Sequence, residues 1–269
     1  MPNPSNHNFT WTYRFVSHLA SYGISQVCIS PGSRSTPLAL AFSHHPDFQV
    51  HTIIDERSSA FFGLGIAKVT GTPTVLVCTS GTAATNFFPA ITEASYSHVP
   101  LLVCTADRPP ELRETGSNQT INQHYLYGDK VRFFAEVGPP DTASPDYDRL
   151  REVTTEALAR ASSPPMGPVH LNFPFRKPLE PESPKILRQI QAKIGDETGL
   201  QSRALSSLRA PVEFDEKAVH EIIPIIEQSK RGLIVCGPNS FDSTFREAIT
   251  TLARGIELPV IADGVSNLR

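Results

Sequence analysis

Two short runs in this sequence combine residue types that can do chemistry. Asp55-Glu56-Arg57 follows the apolar stretch Val50 to Ile54, which places a carboxylate where a strand ends and a helix starts. Ser30-Pro31-Gly32-Ser33-Arg34-Ser35-Thr36-Pro37 opens from the end of the preceding apolar stretch, Val27 to Ile29. A carboxylate beside an apolar strand end can sit in a partly dry pocket, where its pKa rises and its hydrogen bond to a ligand nitrogen strengthens. Taken alone, Glu56 reads more readily as a helix-start glutamate that favours the macrodipole, and the coincidence of several such loops on one edge tips the balance. Two further loops add to the pattern. Ser80-Gly81-Thr82 offers hydroxyls and backbone amides at a helix start, suited to an anion or to simple capping. Asp107-Arg108-Pro109-Pro110 leads into a long polar stretch to Gly128 that holds Arg113, Asn118, Gln119, Asn122 and His124. Arginine forks suit carboxylates, and long ordered loops at a sheet edge are usually functional.

The elements that must position these residues follow from periodicity. Strands are expected at 27–29, 50–54, 74–78, 101–105, 131–137 and 169–173, with helices at 11–20, 36–43, 58–69, 82–96 and 150–161. Strands with little polar alternation, separated by helices, predict an α/β fold with a doubly wound parallel sheet covered on both faces. In such a sheet the loops leaving the strands' carboxyl ends line the ligand crevice. Glu56, Ser33, Arg34, Ser80, Thr82 and Arg108 therefore fall on one predicted edge. Residues 174–212 carry Pro174, Pro178, Pro181, Pro184 and Pro211 and read as a surface linker. Residues 213–269 read as one βαβ unit, the incomplete start of a second Rossmann-like α/β domain. The expected division is thus 1–178, a linker 179–212, and 213–269.

Composition excludes several classes. The 269 residues carry a net charge of −3, so no basic surface advertises nucleic acid. No apolar run approaches the ~18 residues of a membrane span. Cys28, Cys78, Cys104 and Cys236 have no close pairing and read as reduced core thiols of a cytoplasmic protein. Gly63-Leu64-Gly65 lies inside a helix, so it reads as a close-packing site and not as a dinucleotide turn.

In order and spacing, Ser30 to Leu38, Asp55-Glu56-Arg57, Thr79-Ser80-Gly81-Thr82-Ala83, Thr105-Ala106-Asp107-Arg108-Pro109 and Asn118-Gln119-Thr120 resemble the thiamine-diphosphate enzyme family. Within it, the serine-arginine loop resembles the branch that joins 2-oxoglutarate to isochorismate in menaquinone or phylloquinone synthesis. The resemblance implies that the first domain is the one that binds the cofactor's pyrimidine. Glu56 would be catalytic, hydrogen-bonding that ring, with Ser80, Gly81 and Thr82 near the cofactor of a partner subunit. Ser33, Arg34, Arg108, Asn118 and Gln119 would contact substrate carboxylates and hydroxyls. It further implies a homo-oligomer, a dimer or dimer of dimers with the site at the subunit interface. In the family, Mg2+ or Mn2+ holds the diphosphate through a Gly-Asp-Gly motif and a later asparagine. Gly195-Asp196-Glu197 and Asp263-Gly264-Val265 do not match that motif, so this chain is expected to carry no metal site and, as a fragment, no activity alone. Alternatives are another thiamine-dependent 2-oxo acid decarboxylase or carboligase, and a non-catalytic module that binds carboxylates.

Overall fold

Valine, isoleucine, leucine and cysteine runs that lack polar alternation can only be buried from both sides. The computed structural model, which describes residues 5–141, 144–198, 203–208, 215–229, 231–237, 243–266 and 268, shows that arrangement. The chain divides into two compact units, Met1–Arg209 and Ala210–Arg269.

The first unit begins with α1 (Ser5–Ser21), β1 (Gln26–Ile29), α2 (Thr36–Ser43) and β2 (Gln49–Thr52). It continues through α3 (Glu56–Thr70), β3 (Thr74–Cys78), α4 (Thr82–Asn86), α5 (Phe88–Tyr96) and β4 (Leu101–Asp107). The long polar loop follows, then β5 (Phe134–Glu136), α6 (Tyr147–Ser162), β6 (Val169–Pro174) and α7 (Pro184–Thr198). The strands form one parallel sheet in the order β2-β1-β3-β4-β6-β5. From β1 the chain goes outward to β2, then returns to the other side for β3. The sheet's switch point therefore lies between β1 and β3, where a ligand crevice is expected.

Two apolar layers cover the sheet. On one face Phe15 and Leu19 of α1 and Phe42 of α2 meet Val75, Val77, Cys104 and Phe173. On the other, Ala60 and Leu64 of α3 and Ile91 of α5 meet Cys28, Leu76, Cys78 and Val103. All four cysteines are buried and free, as the sequence implied. Gly63 permits the close approach of α3: a Cβ there would lie 2.5 Å from Leu76 Cδ2. Gly65 meets nothing, so only the first of the two glycines is a packing residue.

Two expectations need correction. The helix anticipated over 82–96 is broken at Phe87, because Pro89 has no N–H to return to the preceding turn. The proline-rich linker contains a full helix, α7, whose Leu187 and Ile194 are buried in the first core. Pro184 is not a breaker there. It occupies the first helical position, where a missing N–H costs nothing.

In the second unit α8 (Glu216–Gln228), β7 (Ile234–Cys236), α9 (Ser243–Gly255) and β8 (Val260–Ala262) form a parallel two-stranded unit. Phe241, expected on the apolar face of α9, lies outside the described residues. Val235 and Ile261 remain exposed, as a parallel pair lacking cover on both faces must leave them.

Phe15, fully buried, packs edge-on against Phe173 with centroids 5.0 Å apart and against Phe42 at 6.4 Å. Phe15→Ala should therefore destabilise the first unit by about 3–5 kcal/mol, read as a lower urea midpoint. A loss below about 1 kcal/mol would mean that α1 does not carry this core.

Candidate functional site

The loops after β1, β2, β3 and β4 meet at the carboxyl edge of the sheet. After β1 the chain turns through Gly32 into a short 3-10 turn, Ser33–Ser35, tied by Ser35 Oγ to Gly32 O (2.9 Å). The β1 and β3 loops touch: a Cβ on Gly32 would lie 2.5 Å from Thr79 Cβ. That clash involves a rigid atom, so any side chain at 32 must push the two loops apart. Ser30 Oγ reaches the third loop, donating to Ile53 O at 2.9 Å.

Within this frame Ser33 is exposed and Arg34 is buried. Arg34 Nη1 donates to Phe175 O at 2.7 Å, while its buried Nε has no hydrogen-bond partner. Burial, then the nearby Arg108 guanidinium, push Arg34 below the ordinary arginine value, against Asp107. Two neighbouring cations and an unmatched buried donor make a place that favours an anionic oxygen.

Glu56 starts α3. The preceding Asp55 caps the helix, accepting from Ser58 N at 2.7 Å. Asn86 Nδ2 donates to Glu56 Oε2 at 3.3 Å, and the side chain is half-buried instead of lying in the dry pocket anticipated from sequence. Ile54 before it, Phe61 and Phe62 further along α3, and Phe88 of α5 are exposed.

The β3 turn and the long loop after β4 are bound together. Ser80 Oγ donates to Gln119 O (3.0 Å), and Gln119 Nε2 donates back to Ser80 O (3.0 Å). Arg108 Nη1 donates to Ser80 Oγ (2.7 Å) and its Nη2 to Asn118 O (2.8 Å). The amide of Gly81 is engaged by Gln123 Oε1 at 2.9 Å, and α4 is only five residues long. The Gly81 amide is therefore not free for an anion, while Thr82, Asn118 and Gln119 are exposed. The structure thus brings together Ser33, Arg34, Ser80, Gly81, Arg108, Asn118 and Gln119. It places Glu56 on the same edge, across α4.

Sequence reasoning missed a polar layer behind this edge. Thr105 Oγ1 donates to Asn172 Oδ1 (2.8 Å), which leaves its oxygen to accept from His170 Nε2 (2.7 Å). Asn172 Nδ2 donates to Asp107 Oδ2 (2.9 Å), and Gln123 Nε2 donates to Asn172 Oδ1 (2.8 Å). Arg113 Nη2 lies 3.0 Å from Asp107 Oδ2 and 2.9 Å from Glu136 Oε2, at ion-pair range but off hydrogen-bond alignment. His124 Nε2 closes the cluster 2.6 Å from Glu136 Oε2. Burial raises the Asp107 carboxyl above its ordinary value, against the Asn172 hydrogen bond and Arg113. The signal was present in the sequence: His170 and Asn172 interrupt a strand that must be buried on both faces, and such groups need partners.

Comparison with known proteins agrees with the α/β fold described above. Residues 10–126 match the thiamine pyrophosphate enzyme N-terminal TPP binding domain. Over 98% of its length the chain is related, at 46% identity, to the 2-succinyl-5-enolpyruvyl-6-hydroxy-3-cyclohexene-1-carboxylate synthase of Haloquadratum walsbyi. It is 42% identical over its full length to the synthase of the same description from Bacillus velezensis. The chain spans 42% and 44% of those relatives, under half of each. Its fold resembles that of the Rhodococcus jostii thiamine diphosphate-dependent 4-hydroxybenzoylformate decarboxylase, with a TM-score of 0.72 at 19% identity. That match covers 95% of this chain and 44% of the other.

The buried polar layer makes stability depend on pH. Burial pushes His170 from the ordinary 6.5 to about 3. Between those values the unfolded chain binds a proton that the folded chain refuses, so stability present above 6.5 is lost as pH falls. The slope is at most about 1.4 kcal/mol per pH unit for each such histidine. His18, pushed to about 4 chiefly by burial, acts in the same direction. His170→Gln keeps a donor for Thr105 but no ionisable ring. Urea midpoints measured from pH 7 to pH 5 should fall less steeply in this variant than in the parent. An unchanged slope would remove His170 from the account.

Proposed function

We propose that this chain supplies the pyrimidine-binding half of a thiamine-diphosphate site. The assembled enzyme would be a 2-succinyl-5-enolpyruvyl-6-hydroxy-3-cyclohexene-1-carboxylate synthase. It would release carbon dioxide from 2-oxoglutarate and join the remaining four-carbon unit to isochorismate, in menaquinone or phylloquinone synthesis. The observation that carries this reading is Glu56, set at the start of α3 on the same sheet edge as the Arg34–Arg108 pair.

The residues fit the cofactor's ring. Asn86 engages Glu56 Oε2, which leaves Oε1 to hydrogen-bond a ring nitrogen and to hold or pass a proton there. Thiamine diphosphate, when bound, supplies the electron sink that decarboxylation of a 2-oxo acid requires. Both substrates are polycarboxylates. Arg34, with its unmatched buried Nε, and Ser33 would meet carboxylate and hydroxyl oxygens, with Arg108, Asn118 and Gln119 on the facing loop. Ser80, Gly81 and Thr82 would lie beside the cofactor.

Among the described residues no group of three or more His, Cys, Asp or Glu could hold a metal. Mg2+ or Mn2+ would be held by other parts of the assembly.

A second copy of the chain is the proposed partner. Ile54, Phe61, Phe62, Val69, Phe88 and Tyr96 are exposed on or beside α3 and α5, a run of large apolar groups that begins beside Glu56 and extends along both helices. Cover there would also dry Glu56. Among the described residues no helix is long and apolar enough to cross a membrane, and the free cysteines suit the reducing cytoplasm in which this reading places the enzyme.

In the assembled synthase Glu56→Gln should lower kcat by about 100-fold or more, while Arg34→Ala chiefly raises KM for 2-oxoglutarate. Near-normal turnover of the glutamine variant would remove Glu56 from the mechanism. A preference for pyruvate over 2-oxoglutarate would replace this synthase with another thiamine-dependent decarboxylase. Sedimentation should show self-association that Phe62→Glu weakens. A strict monomer at high concentration would count against the second copy.

A further inference from the structure

Gln123 lies outside every motif that points to the cofactor or substrates, yet it sits at the junction of three elements of the site. Its side chain is buried, with 1% exposure. Oε1 accepts from Gly81 N at 2.9 Å, and Nε2 donates to Ala106 O at 3.2 Å and to Asn172 Oδ1 at 2.8 Å. The surroundings thus present one donor and two acceptors, which is the complement of a primary amide. A methionine fills the volume and satisfies none of the three. A glutamate keeps the bond from Gly81 but turns its second oxygen toward two other acceptors.

The turn that Gln123 holds has no slack of its own. Gly81 adopts φ +81, and a Cβ there would stand 2.9 Å from Gln119 Cγ and 3.0 Å from Gln119 O. The turn therefore touches the backbone of the loop that carries Asn118 and Gln119. The Ser80–Gln119 and Arg108 hydrogen bonds tie the outer side of that contact. Gln123 ties the inner side, and through Asn172 it anchors the turn to β6.

We propose that Gln123 is a positioning residue that locks the Ser80–Gly81 turn to the 118–124 loop, so that the substrate-facing and cofactor-facing parts of the site move as one piece. This rests on the functional reading above for what the two parts bind, but not for the coupling itself. A buried amide that only satisfies its own polarity would affect the fold generally. A positioning amide acts at Gly81 and in the chemical step.

The test uses two readouts. In this chain, Gln123→Met should speed hydrogen exchange at the Gly81 amide about tenfold, the loss of one hydrogen bond, with the β3 amides of Leu76 and Val77 unchanged. In the assembled synthase the same variant should lower kcat while leaving KM for 2-oxoglutarate unchanged. Gln123→Glu should be impaired at neutral pH and recover relative to the parent as pH falls, because the protonated acid regains a donor. Unaltered exchange at Gly81 would overturn the proposal. So would faster exchange throughout β3, or a kcat that tracks melting temperature alone. If Gly81 loosens locally but the parent assembly turns over neither substrate, the functional reading fails and the turn-to-loop coupling stands.

Discussion

Between β1 and β3 the chain reverses its direction of travel through the sheet, and there Gly32 lies flat against Thr79, with no room for a Cβ between them. Everything at the candidate site depends on this contact. The reversal leaves a gap between two adjacent strand ends, and the close approach sets its width. Ser33 and Arg34 follow Gly32 directly, and Ser80 follows Thr79. Their separation is thus fixed by backbone packing at the floor of the crevice and not by the side chains themselves. A wider floor would strain the Ser30 N to Val77 O hydrogen bond just below it and shift Arg34 relative to its neighbour Arg108.

Arg34 and Arg108 illustrate how much of such a site is devoted to holding itself together. Both guanidinium ends of Arg108 are engaged by the β3 turn and the long loop. One end of Arg34 is engaged by Phe175 O, and its buried Nε is not. Like charges placed near one another oppose folding, and burial adds to that cost. The arrangement persists because the arginine donors reach main-chain and hydroxyl oxygens, and because Asp107 partly offsets the charge. An anion entering between them would relieve an electrostatic tension that already exists, which is the general character of a preorganised anion site.

Much of the frame was legible in the sequence. α2 and β3 fall on the expected residues because their ends are marked by Pro37, Pro73 and short apolar runs. The edge that gathers the candidate site was legible because parallel strands force their following loops to one side. The misreadings have a shared cause. α7 was hidden by counting prolines without asking where each one falls, since Pro184 opens a helix whose Leu187, Ile190 and Ile194 repeat at helical spacing. Gln123, His170 and Asn172 were passed over because a polar residue gains its meaning from partners far along the chain. Asn172 meets Thr105 and Asp107 across 67 and 65 residues, a pairing that only the β4–β6 register creates. Local pattern cannot carry that information.

Glu56 is the point where a single chain stops explaining the chemistry. Its placement is local: Asp55 caps α3, and the capped first turn presents the next carboxylate at the sheet edge. Its environment is not local. In this structure the carboxylate is half-buried and leans on Asn86, with Phe61, Phe62 and Phe88 uncovered nearby. A hydrogen bond from a carboxylate to a ring nitrogen is weak in water and strong where water is excluded. The fold therefore provides the direction of that bond, and the strength must come from apolar cover. The exposed phenylalanines are the surface that such cover would bury, so the same contact would bring an assembly together and switch on its carboxylate. On this view association and activation are one event. The residues that look wasteful on an isolated surface would, under the proposed reading, set Glu56 apart from an ordinary helix-start glutamate.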